Sequence, residues 1–332
     1  LSKLAPVFMS QKNPDRPSFS IVIETDNLAL VDLGELYSCL DSIVDQGDLI
    51  KQAVGVFVAD GGVVPENILS GLRSRYPWLT VVHAEAGASY IELKLAGALK
   101  AGSEVIVFCD GDVHYEKGWL AALLDGFRSH PDADMIAGET TTLISGPYSL
   151  AFALTFNFPR LSQESDLAPS TIYWANNVAV KRELLLRIPL PDPAELYRGQ
   201  NLVHTAHILR NSGKILRQPK AKSWHAVLPP SEIVQRYFRL GRDAAMVRTL
   251  TARESGSAHL GAMAPDRPGG GVFSRITGRF GQIARSQPWS LLYLPLAAPV
   301  VVLMGVAYLA GRLSAPNSPK SPIAPKQHSF AG

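Results

Sequence analysis

Cysteine is almost missing from this chain: Cys39 and Cys109 are the two in 332 residues. So few thiols exclude a disulfide framework and a cysteine-built metal site, and they fit two reduced thiols in a cytosolic domain. An excess of one charge is also lacking. Lys and Arg total 32 against 29 Asp and Glu, a net charge of +3. That balance lacks the concentrated basic face of a nucleic-acid-coating protein, so no nucleic-acid partner is expected. Residues 1–18 are polar and contain proline, without the apolar core of a secretory leader. There is no internal repeat.

A long uncharged stretch occurs late in the chain. Between Arg285 and Arg312 no residue is charged, and Leu291–Ala310 has the length of one bilayer crossing, about 20 residues. Pro295 and Pro299 lie inside it, as membrane helices tolerate; a buried hairpin or core helix is the competing reading. Arg267, Arg275, Arg279 and Arg285 precede the run, and Arg312, Lys320 and Lys326 follow it. This bias places the preceding domain on the cytoplasmic side of the cell membrane, with membrane lipids as partners.

The chain as a whole is 46% hydrophobic, enough for one large α/β core or two fused lobes. Strands are expected at 18–24, 54–60, 79–83 and 104–109. Helices are expected at about 33–46, 65–75 and 90–101 between them. This alternation with short turns is the pattern of parallel βαβ units in a doubly wound, mostly parallel sheet with flanking helices. Beyond it the expected elements are a helix at 117–129, strands at 134–139 and 174–180, and a helix at 200–211. Two short strands at 214–218 and 221–225 and a helix at 231–249 complete the list. Residues 140–171 show no clean period.

Asp110-Gly111-Asp112 follows the apolar run Glu104-Val-Ile-Val-Phe-Cys109 directly. Open α/β sheets bind ligands at the carboxyl ends of their strands. Two carboxylates there suit Mg²⁺ or Mn²⁺, ions that bridge phosphate oxygens. A solvated Asp-Gly-Asp turn has the same composition. The pattern therefore points to chemistry on a phosphorylated, nucleotide-linked substrate.

Ser20-Ile-Val-Ile, Val58-Ala-Asp60-Gly, the run from Gly97 to Asp112 and Pro219-x-Ala221-x-x-x-His225 together resemble family-2 glycosyltransferases of the GT-A fold, over about residues 18–243. The resemblance implies a hexosyl-type, inverting transfer from a nucleotide-diphosphate-sugar donor to a glycan or lipid acceptor, as in cell-envelope polysaccharide assembly. It divides the chain into a flexible N-terminus (1–17), a nucleotide-sugar-binding half (18–139) and an acceptor-side half (140–250). A basic juxtamembrane linker (251–285), the membrane helix (286–312) and a disordered tail (313–332) follow.

It also implies roles. Glu24, Thr25 and Asp60 would frame base and ribose, and Lys94 would face the donor where the family usually has arginine. Asp110 would lie near ribose and metal, Asp112 would ligate the metal, and His225 would complete the metal site. On the acceptor side Asn176 and Asn177 would meet sugar hydroxyls. Arg236, Arg239 and Arg242 in the expected helix at 231–249 are candidates for contact with diphosphate or lipid head groups, since guanidinium suits phosphate oxygens.

The chain departs from the family at three places. Glu24 replaces a usual proline, and Ala59 replaces the first of two aspartates. The acidic pair before the acceptor-side helix is missing from Asp192-Pro-Ala-Glu195-Leu-Tyr-Arg198-Gly-Gln200, leaving Glu195 as the nominated catalytic base. Two rival readings stand beside the transferase: a degenerate membrane-bound scaffold subunit, and a nucleotidyltransferase. Against the latter, the loop Glu24-Thr-Asp-Asn27 is acidic rather than glycine-rich and basic.

Overall fold

The computed structural model describes residues 16–29, 32–156, 158–192, 196–255 and 272–316. The first half builds four strands, β1 (Phe19–Glu24), β2 (Gly55–Asp60), β3 (Leu79–His83) and β4 (Val105–Asp110). Helices α1 (Gly34–Val44), α2 (Glu66–Arg75) and α3 (Tyr90–Lys100) connect them. All pairings among these strands are parallel. Every residue of β1 and β4 is buried, as an apolar strand covered by helices on both faces requires.

Strand alternation divides the core between two faces. Ile21, Ile23, Val105 and Val107 join Leu36, Leu40 and Leu72 on one face. Val22, Ile106 and Phe108 meet Ile91 and Leu95 of α3 on the other.

The second half extends the same sheet. It comprises β5 (Val113–Tyr115), α4 (Trp119–Ser129), β6 (Met135–Thr141), α5 (Pro147–Thr155), β7 (Ala168–Pro169) and β8 (Asn177–Lys181). Then come α6 (Arg182–Arg187), α7 (Gln200–Arg210), β9 (Ile215–His225) and α8 (Ile233–Ser255). The strand order is β3-β2-β1-β4-β8-β6-β9-β5, with β7 pairing β9. β8 runs antiparallel to both β4 and β6, whereas β6 and β9 are parallel, so the sheet becomes mixed beyond β4.

Several elements differ from the sequence-based expectation for identifiable reasons. The two short strands at 214–218 and 221–225 are one strand, β9. Pro219, which has no N–H to donate, falls where the register with β6 shifts between Ala137 and Glu139. The strand expected at 174–180 begins only at Asn177, because the Asn177 N–H donates to the Trp174 carbonyl (3.0 Å) and closes a turn. Helix α5 showed no period because Leu150–Leu154 are all buried, leaving no polar face.

The C-terminal elements are α9 (Val272–Ser286) and α10 (Leu294–Leu313), joined by a short 3₁₀ turn at Pro288–Tyr293. Part of the expected linker 251–285 is thus helical, while residues 256–271 lie outside the described residues, as do 1–15 and 317–332. Pro288–Leu313 is long and apolar enough to cross a membrane, by length and composition.

Its inner face packs Ala297, Met304 and Ala307 against Phe152, Tyr237 and Leu240 of α5 and α8. The contact between α8 and α10 is backbone-close: a Cβ on Gly241 would lie 1.9 Å from the Tyr308 carbonyl, and one on Gly311 would lie 1.8 Å from the Phe238 carbonyl. The outer face carries Leu296, Val302, Val306 and Leu313, exposed by 68%, 64%, 59% and 87%.

Candidate active site

Parallel registration brings strand ends level. Glu24 of β1 pairs with Asp110 of β4, and Asp60 ends β2 beside them. Asp112 lies two residues beyond Asp110. Between them Gly111 presses on β1: its N–H donates to the Glu24 carbonyl (2.9 Å), and a Cβ there would stand 3.0 Å from that oxygen. Residues 113–115 then turn back as β5 and pair antiparallel with β9, placing Val113 opposite His225. The Ala226 N–H donates to the Asp112 carbonyl (3.0 Å), fixing the end of β9 against the acidic turn.

Asp110, Asp112 and His225 are all buried, and their ligand atoms lie within 4.8 Å of one another. The His225 Nδ1 is 2.6 Å from the Ala226 carbonyl, which can only accept, so the proton sits on Nδ1. The other nitrogen, Nε2, faces Asp112 Oδ2 at 3.4 Å. That distance is an electrostatic contact rather than a hydrogen bond, and Asp112 Oδ2 is a buried oxygen with no hydrogen-bond partner. A bare imidazole nitrogen and an orphaned carboxylate oxygen facing each other fit a divalent cation that accepts mixed N and O ligands.

Asp110 is more heavily engaged. Its Oδ1 accepts from Lys94 Nζ (2.7 Å) and Tyr90 Oη (3.0 Å), while Asn27 Nδ2 lies 3.4 Å from both Asp110 Oδ2 and Asp112 Oδ1. Burial pushes the Asp112 carboxyl above its ordinary range, opposed chiefly by His225. Burial, followed by the neighbouring Asp110, holds Glu24 well above its range too, and Glu24 Oε1 has no partner. Three crowded carboxyls with two orphaned oxygens form a site that a cation would relieve.

The other nominated residues fall into distinct places. Thr25 Oγ1 donates to Asp60 Oδ1 (2.7 Å), and Asp60 also accepts the N–H groups of Gly62 (2.9 Å) and Val64 (3.1 Å). Lys94 is fully buried beneath Asp110, donating also to the Cys109 carbonyl, and does not line the cavity. Asn176 lines the cavity and keeps an unpaired Nδ2.

Asn177 does not reach the cavity. It is a structural hub that accepts from Trp119 Nε1 (2.7 Å) and donates to the carbonyl of Ala221 (3.0 Å). Arg239 stacks over the Tyr197 ring, Arg242 lies 4.0 Å from Asp243, and neither lines the cavity. Glu195 lies outside the described residues.

Three arginines do line the cavity: Arg236, expected from the sequence, together with Arg198 and Arg275, which were not nominated. The Arg198 guanidinium lies between the Tyr90 and Tyr197 rings (4.5 and 4.4 Å) and donates to Asp26 (2.5 Å) and Asn27 (2.8 Å). Arg236 is 5% exposed and donates to the Tyr197 hydroxyl. The helical phase of α8 held the signal: Arg236, Leu240, Asp243 and Val247 recur at helical spacing on one face, and Arg239 and Arg242 fall off it. An aromatic wall of Phe156, Phe158 and Trp174 closes the cavity beside His225.

The mixed sheet with these helices has the GT-A fold, and solved structures share that fold. One is the mannosyltransferase PcManGT from Pyrobaculum calidifontis, in complex with GDP-Man and Mn²⁺. It aligns with TM-score 0.57 and 15% identity over 90% of this chain and 88% of its own. Another is GalNAc-T7 with UDP, GalNAc and Mn²⁺, at TM-score 0.53 and 13% identity, covering 83% of this chain and 57% of that one. This chain thus spans little more than half of GalNAc-T7. No curated protein sequence matches. The chain belongs to glycosyl transferase family 2, whose family model matches residues 20–185.

Proposed function

We propose that this protein transfers a sugar from a nucleotide-diphosphate donor, with Mg²⁺ or Mn²⁺ held by Asp112 and His225 and flanked by Asp110. The observation that carries this reading is the orphaned Asp112 Oδ2 facing a bare His225 Nε2 at the end of β4, inside a fold whose relatives are solved with nucleotides and Mn²⁺. When bound, the cation supplies positive charge for the diphosphate leaving group.

The chain's own residues do the positioning. Lys94 and Tyr90 hold Asp110 oriented from below, and the Thr25–Asp60 pair braces the strand ends where base and ribose would lie. Asn176 offers an unpaired amide donor to a hydroxyl in the cavity. Helix α10 keeps the domain at the bilayer. Arg275, Arg279 and Arg285 before it, against Arg312 after it, favour the cytoplasmic face.

The test is calorimetric titration of the detergent-solubilised chain with UDP and GDP, with and without Mn²⁺, repeated on Asp112→Asn. Manganese-dependent binding that vanishes in the variant supports the reading. No nucleotide binding under any condition overturns it, and binding without sugar transfer to any acceptor turns it toward a scaffold subunit.

A further inference from the structure

Helix α10 is docked on the domain along nearly its whole length. Leu294, Ala297, Val301, Met304, Tyr308 and Gly311 recur at three- and four-residue spacing and pack against the cluster built by α5 and α8. At 1.5 Å per residue this stripe is about 25 Å long, close to the roughly 30 Å of a bilayer's hydrocarbon core. A helix held over that distance crosses a bilayer only if its neighbours enter with it.

Those neighbours are unsuited to hydrocarbon. Met304 and Gly305, at the middle of α10, line the same small cavity as Arg275 and Arg279 of α9. Phe238 and Gly241, which abut Gly311 and Tyr308, are interleaved on α8 with Arg239, Arg242 and Asp243. A crossing orientation would carry these charged groups to membrane depth, where ionised side chains are costly.

The outward surface has a different character and is not confined to one helix. Leu296, Val302 and Leu309 are exposed on α10, Trp289 on the turn before it, and Val234 and Phe238 on α8. An exposed indole suits the head-group level of a membrane. The charge around this surface has one sign, since residues 272–316 contain arginines and no acidic residue. Arg285 and Arg312 are exposed at the two ends of the apolar run. Apolar side chains bordered by guanidinium groups match acyl chains bordered by head-group phosphates. A second copy of the chain fits less well, because it would set like charges against each other.

Resting on the reading that α10 meets the bilayer, we propose that α10 lies in the plane of one leaflet and does not cross it, with α8 beside it at the head groups. The length and apolar composition that suit a crossing are met equally by a helix with one face on protein and the other on lipid. The outward side chains reach about 5–10 Å into the boundary between head groups and acyl chains. The arginines stay at the polar surface, and both ends of α10 remain on the side that holds the metal-capable site.

The test uses the full chain in membranes of the expression host, with single cysteines introduced by Ser286→Cys or Ser314→Cys, both at exposed positions. Cys39 and Cys109 are buried, so the parent chain supplies the background. A membrane-impermeant maleimide should label both positions in inverted vesicles, and both signals should be lost in intact spheroplasts. Labelling of the two positions from opposite sides overturns the proposal in favour of a crossing.

Spin labels on Leu296→Cys, Val302→Cys and Leu309→Cys in nanodiscs give a second reading. Their depth, from relaxation by oxygen and by a water-soluble nickel chelate, should be uniform and shallow. A profile deepest at Val302 overturns the proposal, because a crossing helix has its middle at the bilayer centre. Either of these failures leaves the membrane reading itself intact. Recovery of the wild-type chain in the soluble fraction overturns both, and a dimeric mass there would mean that a second copy covers the face.

Discussion

Asp112 carries the most consequential chemistry at the scale of single residues. Its folded carboxyl titrates above the ordinary range because burial disfavours the charged form, and Glu24 behaves the same way. A carboxyl whose folded pKa exceeds its unfolded pKa binds more protons in the native state, so stability falls as pH rises through that interval. A cation reverses this penalty by pairing with the ionised forms, and it must displace protons to bind. Mn²⁺ should therefore raise the melting temperature more at pH 8 than at pH 6, and Asp112→Asn should abolish the difference; differential scanning fluorimetry across pH decides this. Lys94 is a second single-residue case. Lys94→Met would leave Asp110 buried without its cation and should destabilise by about 3 kcal/mol, read by urea unfolding.

Among elements, two couplings hold the site. His204 of α7 accepts from the Tyr173 hydroxyl (2.6 Å) and donates from Nε2 to the Ile188 carbonyl (2.7 Å), tying α7 to the end of α6. Burial lowers its pKa to about 4 from 6.5, so the folded protein holds it neutral. Because the unfolded chain binds the proton first, this contribution is complete above pH 6.5 and fades as pH falls toward 4. His204→Gln should flatten the slope of stability against pH in that window, measured by denaturant unfolding.

The second coupling is the crossing of α8 and α10. Gly311→Leu would drive a side chain into the Phe238 carbonyl and should lower thermal stability sharply, whereas Gly305→Leu points into open space and should leave it nearly unchanged. Thermal melts of the two variants side by side compare the same substitution on one helix.

The molecule as a whole joins a family-2 glycosyl transferase sheet to a helix with one face against the domain and one face bare. A contiguous apolar surface of this kind requires an apolar partner, and a helix of this length and composition suits a bilayer. The full chain should stay with membranes through high salt and alkaline carbonate and be released only by detergent. Release by carbonate would mean that another protein covers the outer face of α10.

Sequence order alone carried the first half of the molecule. β1 to β4 and their helices were legible within a residue or two, because buried parallel strands read as uninterrupted apolar runs and their crossovers as amphipathic periods. The acidic turn after β4 was legible for the same reason: its place at a strand's carboxyl end follows from the order of the elements.

Tertiary structure decided the rest. α5 is buried nearly all round and shows no period, β9 continues through a proline at a register shift, and β5 is too short to announce itself. That His225 meets Asp112 depends on β5 folding back onto β9, a pairing between segments far apart in the chain. Arg198 and Arg236, rather than Arg239 and Arg242, face the cavity because of the phase of α8 and a single loop stacking on Tyr90. Local residue pattern records which groups a strand or helix carries, while the faces that meet are set by packing between distant segments.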